Sequence, residues 1–565
     1  MEAETPSSGQ RLRLGSNRSR RGCITCRIRR IKCDEQKPLC LRCTSTGRRC
    51  DGYMPMPYSL RIAKQLAQMT AFVTPAEARA LEFFFRKSAG HLAGYFGVSF
   101  WTRTVLQLSL TEPTIRHAIA AIGLLYEAEG TSAALMTVGP PTSRTDLALH
   151  LYNRAIRTTI DKASTGIDAL PLVITASVLF ASLEFLFQDA FAAASHVVNG
   201  LNLVRTWRQH RGRPKELGTS RAHWVDMELT PILLCFSVNT YEHAGLKHLI
   251  RAPREKVHVH PMDDRGQLIL GRRFSTLPEA RLGLLDLILY LIGTFQDWDQ
   301  LTKEARLPSP PLTSWAVSVQ QAAERWKVTF EALVQRKEST WGPGERNELD
   351  ATRMLWYCIR LGTDRYRFAT ECGWDDLRAT FEDIVESAER LLADSEHYPD
   401  KLSKTLNLDC QMLYPLQAVV WKCRWPHIRR RGLDLLRRIP KQELIFSAPN
   451  YHIVCSQIVA MEERALNLAP GTVPNKDMLP PDHARVYDFT ITPASVTTTG
   501  HPPYNITFKT FPHGRNGAPE FLTEPIQLHP SLAGGTMLPV NLMKCRDWSN
   551  YNQPNDHAVE VLKGI

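Results

Sequence analysis

The sequence predicts a mostly α chain in three parts. These are a small cysteine-rich module near the N-terminus, a large all-α array of packed helices, and a short β-containing or irregular C-terminal tail. Three observations predict it. Six cysteines between residues 23 and 50 repeat one spacing. From residue 74 to about 470, apolar residues recur at helical intervals with little strand-like alternation. From about Gly471 the composition shifts to proline, threonine and glycine, with short stretches of period-two alternation. The expected boundaries are 1–19 for a disordered basic arm, 20–52 for the cysteine module, 53–73 for a linker, 74–470 for the helical domain and 471–565 for the C-terminal extension.

The chain opens on Met1-Glu-Ala-Glu-Thr-Pro-Ser-Ser8, polar and acidic with no apolar stretch, so no secretory leader is expected. Arg11-Leu-Arg-Leu-Gly-Ser-Asn-Arg-Ser-Arg-Arg21 is basic and polar, a composition suited to nuclear import or to extra phosphate contacts.

In the module, Cys23, Cys26 and Cys33 form C-x2-C-x6-C, and Cys40, Cys43 and Cys50 repeat it 17 residues on. Zinc takes four thiolates in a tetrahedral shell. Two zincs need eight sulfur contacts, and six cysteines supply eight only when two of them bridge both metals. The repeat makes the bridging pair equivalent positions: Cys23 with Cys40, Cys26 with Cys43, or Cys33 with Cys50. Three disulfides are the alternative use of six cysteines. Against it, the other seven cysteines lack framework spacing, and the odd total of 13 suits a reducing compartment. Residues 20–55 hold no histidine, which weighs against mixed-ligand LIM or RING arrays.

Charge points to the partner. Residues 1–50 carry 13 Lys/Arg against four acids, which is +9 of the chain's +12. Six thiolates and two Zn2+ sum to −2, so most of that excess is left for phosphates, the footprint of a polyanion such as double-stranded DNA. The halves differ: Arg27, Arg29, Arg30 and Lys32 fill four of the six places between Cys26 and Cys33, whereas only Arg48 and Arg49 are basic between Cys43 and Cys50. The first half, as a short helix starting near Ile24, is the expected DNA reader. Arginine presents a planar fork that matches guanine O6 and N7. Arg27, Lys32, Arg42 and Arg48 are suited to phosphates, which position a protein without reading sequence.

Cys23-Ile-Thr-Cys26-Arg-Ile-Arg-Arg-Ile-Lys-Cys33-Asp34, with Pro38-Leu-Cys40-Leu-Arg-Cys43 and Arg48-Arg49-Cys50, resembles the fungal Zn(II)2Cys6 binuclear-cluster transcription factors. That family sets a helix in the DNA major groove. The resemblance covers about residues 20–52. It implies two structural Zn2+ held by Cys23, Cys26, Cys33, Cys40, Cys43 and Cys50, with Cys23 and Cys40 bridging and Pro38 turning the loop between the halves. It also implies that Arg29 and Arg30 stand where the family reads a CGG triplet; many relatives carry lysine there. A nuclear regulator of RNA polymerase II promoters, acting with transcription machinery or coregulators on a metabolic or secondary-metabolite gene set, is the implied role. The alternative is a helical protein- or metabolite-binding scaffold that the cluster localises to chromatin.

After the module, Pro55 and Pro57 interrupt any immediate helix. Ile62, Leu66 and Met69 give too few apolar repeats for a coiled coil before Pro75. The protein is therefore expected to act as a monomer or as a dimer built by the helical domain. That domain opens at Thr74-Pro75-Ala76-Glu77, an N-cap, a first-turn proline and a capping-box glutamate, followed by Leu81, Phe84, Phe85 and Leu92 on one side. A second helix opens at Thr111-Glu112-Pro113 with Ile115, Ala118, Ile119, Ile122 and Tyr126 on one face. Further helices are expected near 144–163, 170–188, 191–211, 222–243, 276–296, 312–336, 347–362, 375–395, 407–422, 427–438 and 450–467. The span resembles the middle regulatory region of the same family.

Ala169–Phe187 is apolar enough to suggest a membrane helix, but Pro171, Thr175, Ser177, Ser182 and Glu184 favour a buried one, and no membrane span is expected. In the tail, Arg485–Thr492 and Tyr504–Phe511 show short period-two alternation, which fits a small hairpin or an extended tail packed on the helical body. His258-Val-His260 with Asp263 and Asp264 is the nearest approach to hydrolase ligand spacing, and no P-loop, dinucleotide turn or nucleophile elbow is present. No enzyme is expected.

Overall fold

In the computed structural model the described residues are 25–26, 29, 31–34, 36, 40–47, 50, 74–131, 143–211, 224–241, 273–288, 310–364, 370–397, 406–408, 412–440, 442–444, 446–469, 471–493, 504–513 and 517–528. The chain divides into two compact units, Met1–Gln65 and Leu66–Ile565.

Among its described residues the first unit has little hydrocarbon inside it. Its core is Cys26, Cys33, Cys40, Cys43 and Cys50, with Ile31 packed against them. Thr25 and Cys26 are helical, and α1 spans Leu41–Thr44. A shift of 17 carries Thr25–Cys26 onto Arg42–Cys43, so the repeat of the cysteines is also a repeat of backbone shape.

The second unit begins as its sequence dictates. The Thr74 hydroxyl accepts from the Glu77 N–H at 3.2 Å, and the Glu77 carboxylate accepts from the Thr74 N–H at 2.8 Å. This capping box opens α2 (Pro75–Phe83), which runs on through a π-turn at Phe84–Ser88 to Leu92. Then follow α3 (Val105–Thr111), α4 (Pro113–Thr131), α5 (Ser143–Ala163), α6 (Leu170–Phe187), α7 (Ala190–Arg211), α8 (Thr230–Tyr241) and α9 (277–288). The array continues with α10 (Pro310–Lys337), α11 (Pro343–Asp364), α12 (Arg378–His397), α13 (Leu413–Lys422), α14 (Pro426–Arg438) and α15 (Ala448–Glu463). Helices pack largely on near neighbours in sequence, α2 on α4, α4 on α5 and α6, α6 on α7, α10 on α11, α13 on α14, which is the expected array of helix pairs.

Close approach is built in by glycine. A Cβ at Gly123 of α4 would lie 2.4 Å from the Ala80 carbonyl oxygen of α2, so only glycine lets these helices meet as they do. Indole N–H groups stitch the middle of the array: Trp326 donates to the Ala280 carbonyl at 2.8 Å and Trp356 to that of Ala323 at 3.2 Å. Helix α6 is long and apolar enough to cross a membrane, yet 83% of its apolar window is buried inside the fold. Its Thr175, Ser177 and Ser182 hydroxyls donate to carbonyls four residues back, which satisfies them without a partner helix.

Two details differ from the expectation. The segment expected as a helix from 407 starts instead as strand β1 (Leu406–Asn407), parallel to β2 (Gln442–Glu443), which pairs antiparallel with β3 (Phe446–Ser447). Two-residue strands carry no period, and only pairing across the chain makes them. The C-terminal hairpin of β4 (Asp488–Pro493) and β5 (Tyr504–Thr510) gains a third antiparallel strand, β6 (Glu520–Ile526). Pro525 sits in β6, which is an edge strand, where a missing N–H is tolerated.

This sheet is packed into the helical body. Trp421 Nε1 donates to the Val486 carbonyl at 3.1 Å, and its ring meets Phe489 edge-on at 5.2 Å. The basic arm, the linker with Ile62, Leu66 and Met69, residues 289–296 of the helix expected near 276–296, and His258, His260, Asp263 and Asp264 lie outside the described residues.

Candidate metal centre

The cysteines come together as two groups of sulfurs. Sγ atoms of Cys26, Cys33 and Cys40 lie within 4.8 Å of one another, and so do those of Cys40, Cys43 and Cys50. Cys40 belongs to both. Cys26 Sγ is 3.6 Å from Cys40 Sγ and 3.8 Å from Cys43 Sγ. A disulfide would need about 2.05 Å. A tetrahedron built on zinc–sulfur bonds of about 2.3 Å has an edge of about 3.8 Å, which these separations match. All five sulfurs belong to buried residues. An all-thiolate, buried donor set at tetrahedral spacing fits zinc, and among the described residues Ile31 is the apolar side chain packed against it.

Local structure aims the sulfurs. Cys40 is the N-cap of α1, and its Sγ accepts from the Cys43 N–H at 3.3 Å, a contact that favours the thiolate. The Thr44 hydroxyl donates to the Cys40 carbonyl at 3.3 Å, and that of Thr46 to the Arg42 carbonyl at 2.9 Å. Gly47, at φ +66°, turns the chain away after α1 in the left-handed region that suits glycine.

One organising residue was not singled out from the sequence. Asp34, next to Cys33, accepts from the N–H groups of Arg42 at 2.8 Å, Gln36 at 3.0 Å and Leu41 at 3.1 Å. Its carboxylate thus joins the first cysteine group to the N-terminus of α1, where backbone donors are otherwise unpaired. The Arg42 N–H is the main reason its carboxyl is held below the usual range, against an opposing push from burial. The available signal was its place: an acid directly after the third cysteine, followed by a loop and a helix start.

Of the residues expected to meet DNA, Arg29 is half-buried and its Nη1 is buried without a hydrogen-bond partner among the described residues. Lys32 and Arg42 are exposed. Arg27, Arg30, Arg48, the ligand candidate Cys23 and the loop proline Pro38 lie outside the described residues.

Residues 21–56 match the fungal Zn(2)-Cys(6) binuclear cluster domain. The chain carries a fungal zinc-cluster domain. It is 33% identical over 249 aligned residues to the aspercryptin biosynthesis cluster-specific transcription regulator of Emericella nidulans, covering 38% of each chain. It is 27% identical over 212 residues to the transcription regulator lscL of Purpureocillium lilacinum, covering 34% of this chain and 49% of that one. Over 36 residues it is 67% identical to the transcriptional regulatory protein moc3 of Schizosaccharomyces pombe, 6% of this chain and 7% of that one. The chain thus spans less than half the length of these curated relatives. All three are regulators by name. No solved structure matches the chain.

Proposed function

We propose that the protein is a nuclear, sequence-specific DNA-binding regulator of transcription at RNA polymerase II promoters. The observation that carries this reading is the buried thiolate cluster in an N-terminal segment, residues 1–50, that holds +9 of the chain's +12. Two Zn2+ fold the module, each held by four sulfurs, with Cys23 and Cys40 as the bridging pair. The presence of Cys40 in both sulfur groups supports that choice over the other two pairs. Metal fixes the short segment from Thr25 to Cys33 so that its basic side chains meet the major groove. Arg29 and Arg30 read a CGG-type triplet; Arg27, Lys32, Arg42 and Arg48 hold phosphates. The exposure of Lys32 and Arg42 suits that task.

The gene set is metabolic, a reading supported by the relative named for the aspercryptin biosynthesis cluster. The helical unit supplies contacts to coregulators, and any dimer forms through it. The test is a comparison of variants by binding to duplexes of varied sequence and salt. Arg30→Ala relaxes base preference at the triplet, whereas Arg48→Ala and Arg42→Ala weaken binding to all sequences alike and lower the salt slope by about one each. Identical base preferences in all three variants would contradict the division of roles.

A further inference from the structure

Three consecutive hydroxyl residues, Thr44, Ser45 and Thr46, close α1 and lead into the turn at Gly47. The two threonines are in use. Thr44 donates to the carbonyls of Cys40 at 3.3 Å and Leu41 at 3.2 Å, and Thr46 to those of Arg42 at 2.9 Å and Cys43 at 3.0 Å. Such bonds satisfy a hydroxyl and hold it back against its own helix. Ser45 differs. Its backbone N–H caps α1 by donating to the Leu41 carbonyl at 2.7 Å, but its hydroxyl makes no hydrogen bond among the described residues, and the residue is exposed. Leu41, Arg42 and residues 44–47 are exposed as well, so only Cys43 of this stretch faces inward.

The charge around this free hydroxyl has one sign. Arg42 stands three residues back, and on a helix such residues are neighbours, with Cβ atoms about 5–6 Å apart. Arg48 and Arg49 follow three and four residues on, and no aspartate or glutamate occurs between Gln36 and Cys50. An arginine on the N-terminal side of an accessible serine is a charge pattern by which protein kinases choose substrates. The same arginines would draw in a phosphate once it was attached.

We propose that Ser45 is a phosphorylation site and that its phosphate turns DNA binding off. In the transfer, Ser45 Oγ bonds to the terminal phosphorus of ATP, and the bond from that phosphorus to the bridging oxygen breaks to release ADP. The hydroxyl proton passes to a carboxylate of the kinase. The phosphoserine carries about −1.5 to −2 at neutral pH. Its oxygens accept from the Arg42 guanidinium one turn back, which takes that cation away from the DNA backbone, and the remaining charge repels the duplex phosphates. Ser45 supplies no metal ligand, so the cysteine cluster keeps its zinc. The switch rests on the DNA-binding reading; the modification itself does not.

The test treats the full-length, zinc-loaded protein with Mg-ATP and a kinase selective for arginine on the N-terminal side of serine. Mass-spectrometric mapping, zinc analysis and duplex binding over a range of salt follow. Phosphate is expected on Ser45 and not on Thr44 or Thr46, with zinc content unchanged. Affinity at about 0.1 M salt is expected to fall about tenfold or more and the salt slope by about one, as for one lost phosphate contact. Phosphatase restores both. Ser45→Ala binds DNA as the wild type does and no longer responds to the kinase. Phosphoserine installed at position 45 during synthesis gives the same loss without a kinase, which separates the switch from the choice of enzyme. Absence of binding by the unmodified protein would overturn the DNA reading and the switch with it. With the unmodified protein still binding, a Ser45 left unphosphorylated, equal affinity with phosphoserine in place, or binding lost together with zinc would overturn the proposal.

Discussion

Cys40 carries three duties at one position. Its sulfur lies in both cysteine groups and accepts from the Cys43 N–H, and its carbonyl accepts from Thr44. Cys50 belongs to one group. Cys40→Ser is therefore expected to lose all of its zinc and all site-specific DNA binding, while Cys50→Ser retains part of its metal. Metal content per chain checks this, and equal zinc loss in the two variants would argue against a shared sulfur. The cysteines were legible in the sequence because ligand chemistry tolerates few residue types and the spacing repeats. Asp34 was not, because two of its three N–H donors, Leu41 and Arg42, lie across the loop and meet it only once that loop has closed.

Helix starts and faces were readable wherever local chemistry sets them. Thr74-Pro75-Ala76-Glu77 states its own cap, and Ile115, Ala118, Ile119, Ile122 and Tyr126 are all buried on α4. Ala120, Ala121 and Leu124 are buried as well, so α4 is enclosed on more sides than its pattern announced. The short strands β1 to β3 were hidden because their partners are set by tertiary contacts. Gly123 gives the prediction at this scale. Gly123→Ala sets a methyl against the Ala80 carbonyl oxygen and is expected to destabilise the unit by about 1–3 kcal/mol, despite the better helix propensity of alanine. Thermal melting measures it; an unchanged or raised melting temperature would mean that α2 and α4 do not approach so closely.

At the scale of the whole second unit, buried charges tie the tail to the helices. Arg424 joins Glu462 at 2.8 Å and Glu371 at 2.9 Å, Arg429 joins Glu462 at 2.7 Å, and the Val486 N–H donates to Glu462 at 2.7 Å. The composition shift near Gly471 therefore marks a change of secondary structure, while the extension continues the same core. Burial pushes the Glu462 carboxyl up, but Arg424 and Arg429 outweigh it and bring it down to about 2. A carboxyl with a depressed folded-state pKa stabilises the fold above its unfolded value, about 4.3, and this is lost as pH falls toward 2. Glu462→Gln leaves two buried arginines short of a partner and is expected to cost about 3–5 kcal/mol at neutral pH. Denaturant melts over pH would show the loss shrinking in acid, and a pH-independent difference would contradict the charge as its cause. Selection of bound sites from random duplexes by the full-length, zinc-loaded protein decides whether a thiolate-held zinc module reads DNA. Enrichment of CGG-type triplets that disappears on zinc removal is expected, singly for a monomer and in pairs at fixed spacing for a dimer; no enrichment at moderate salt, or enrichment that survives loss of zinc, would rule the module out as the reader.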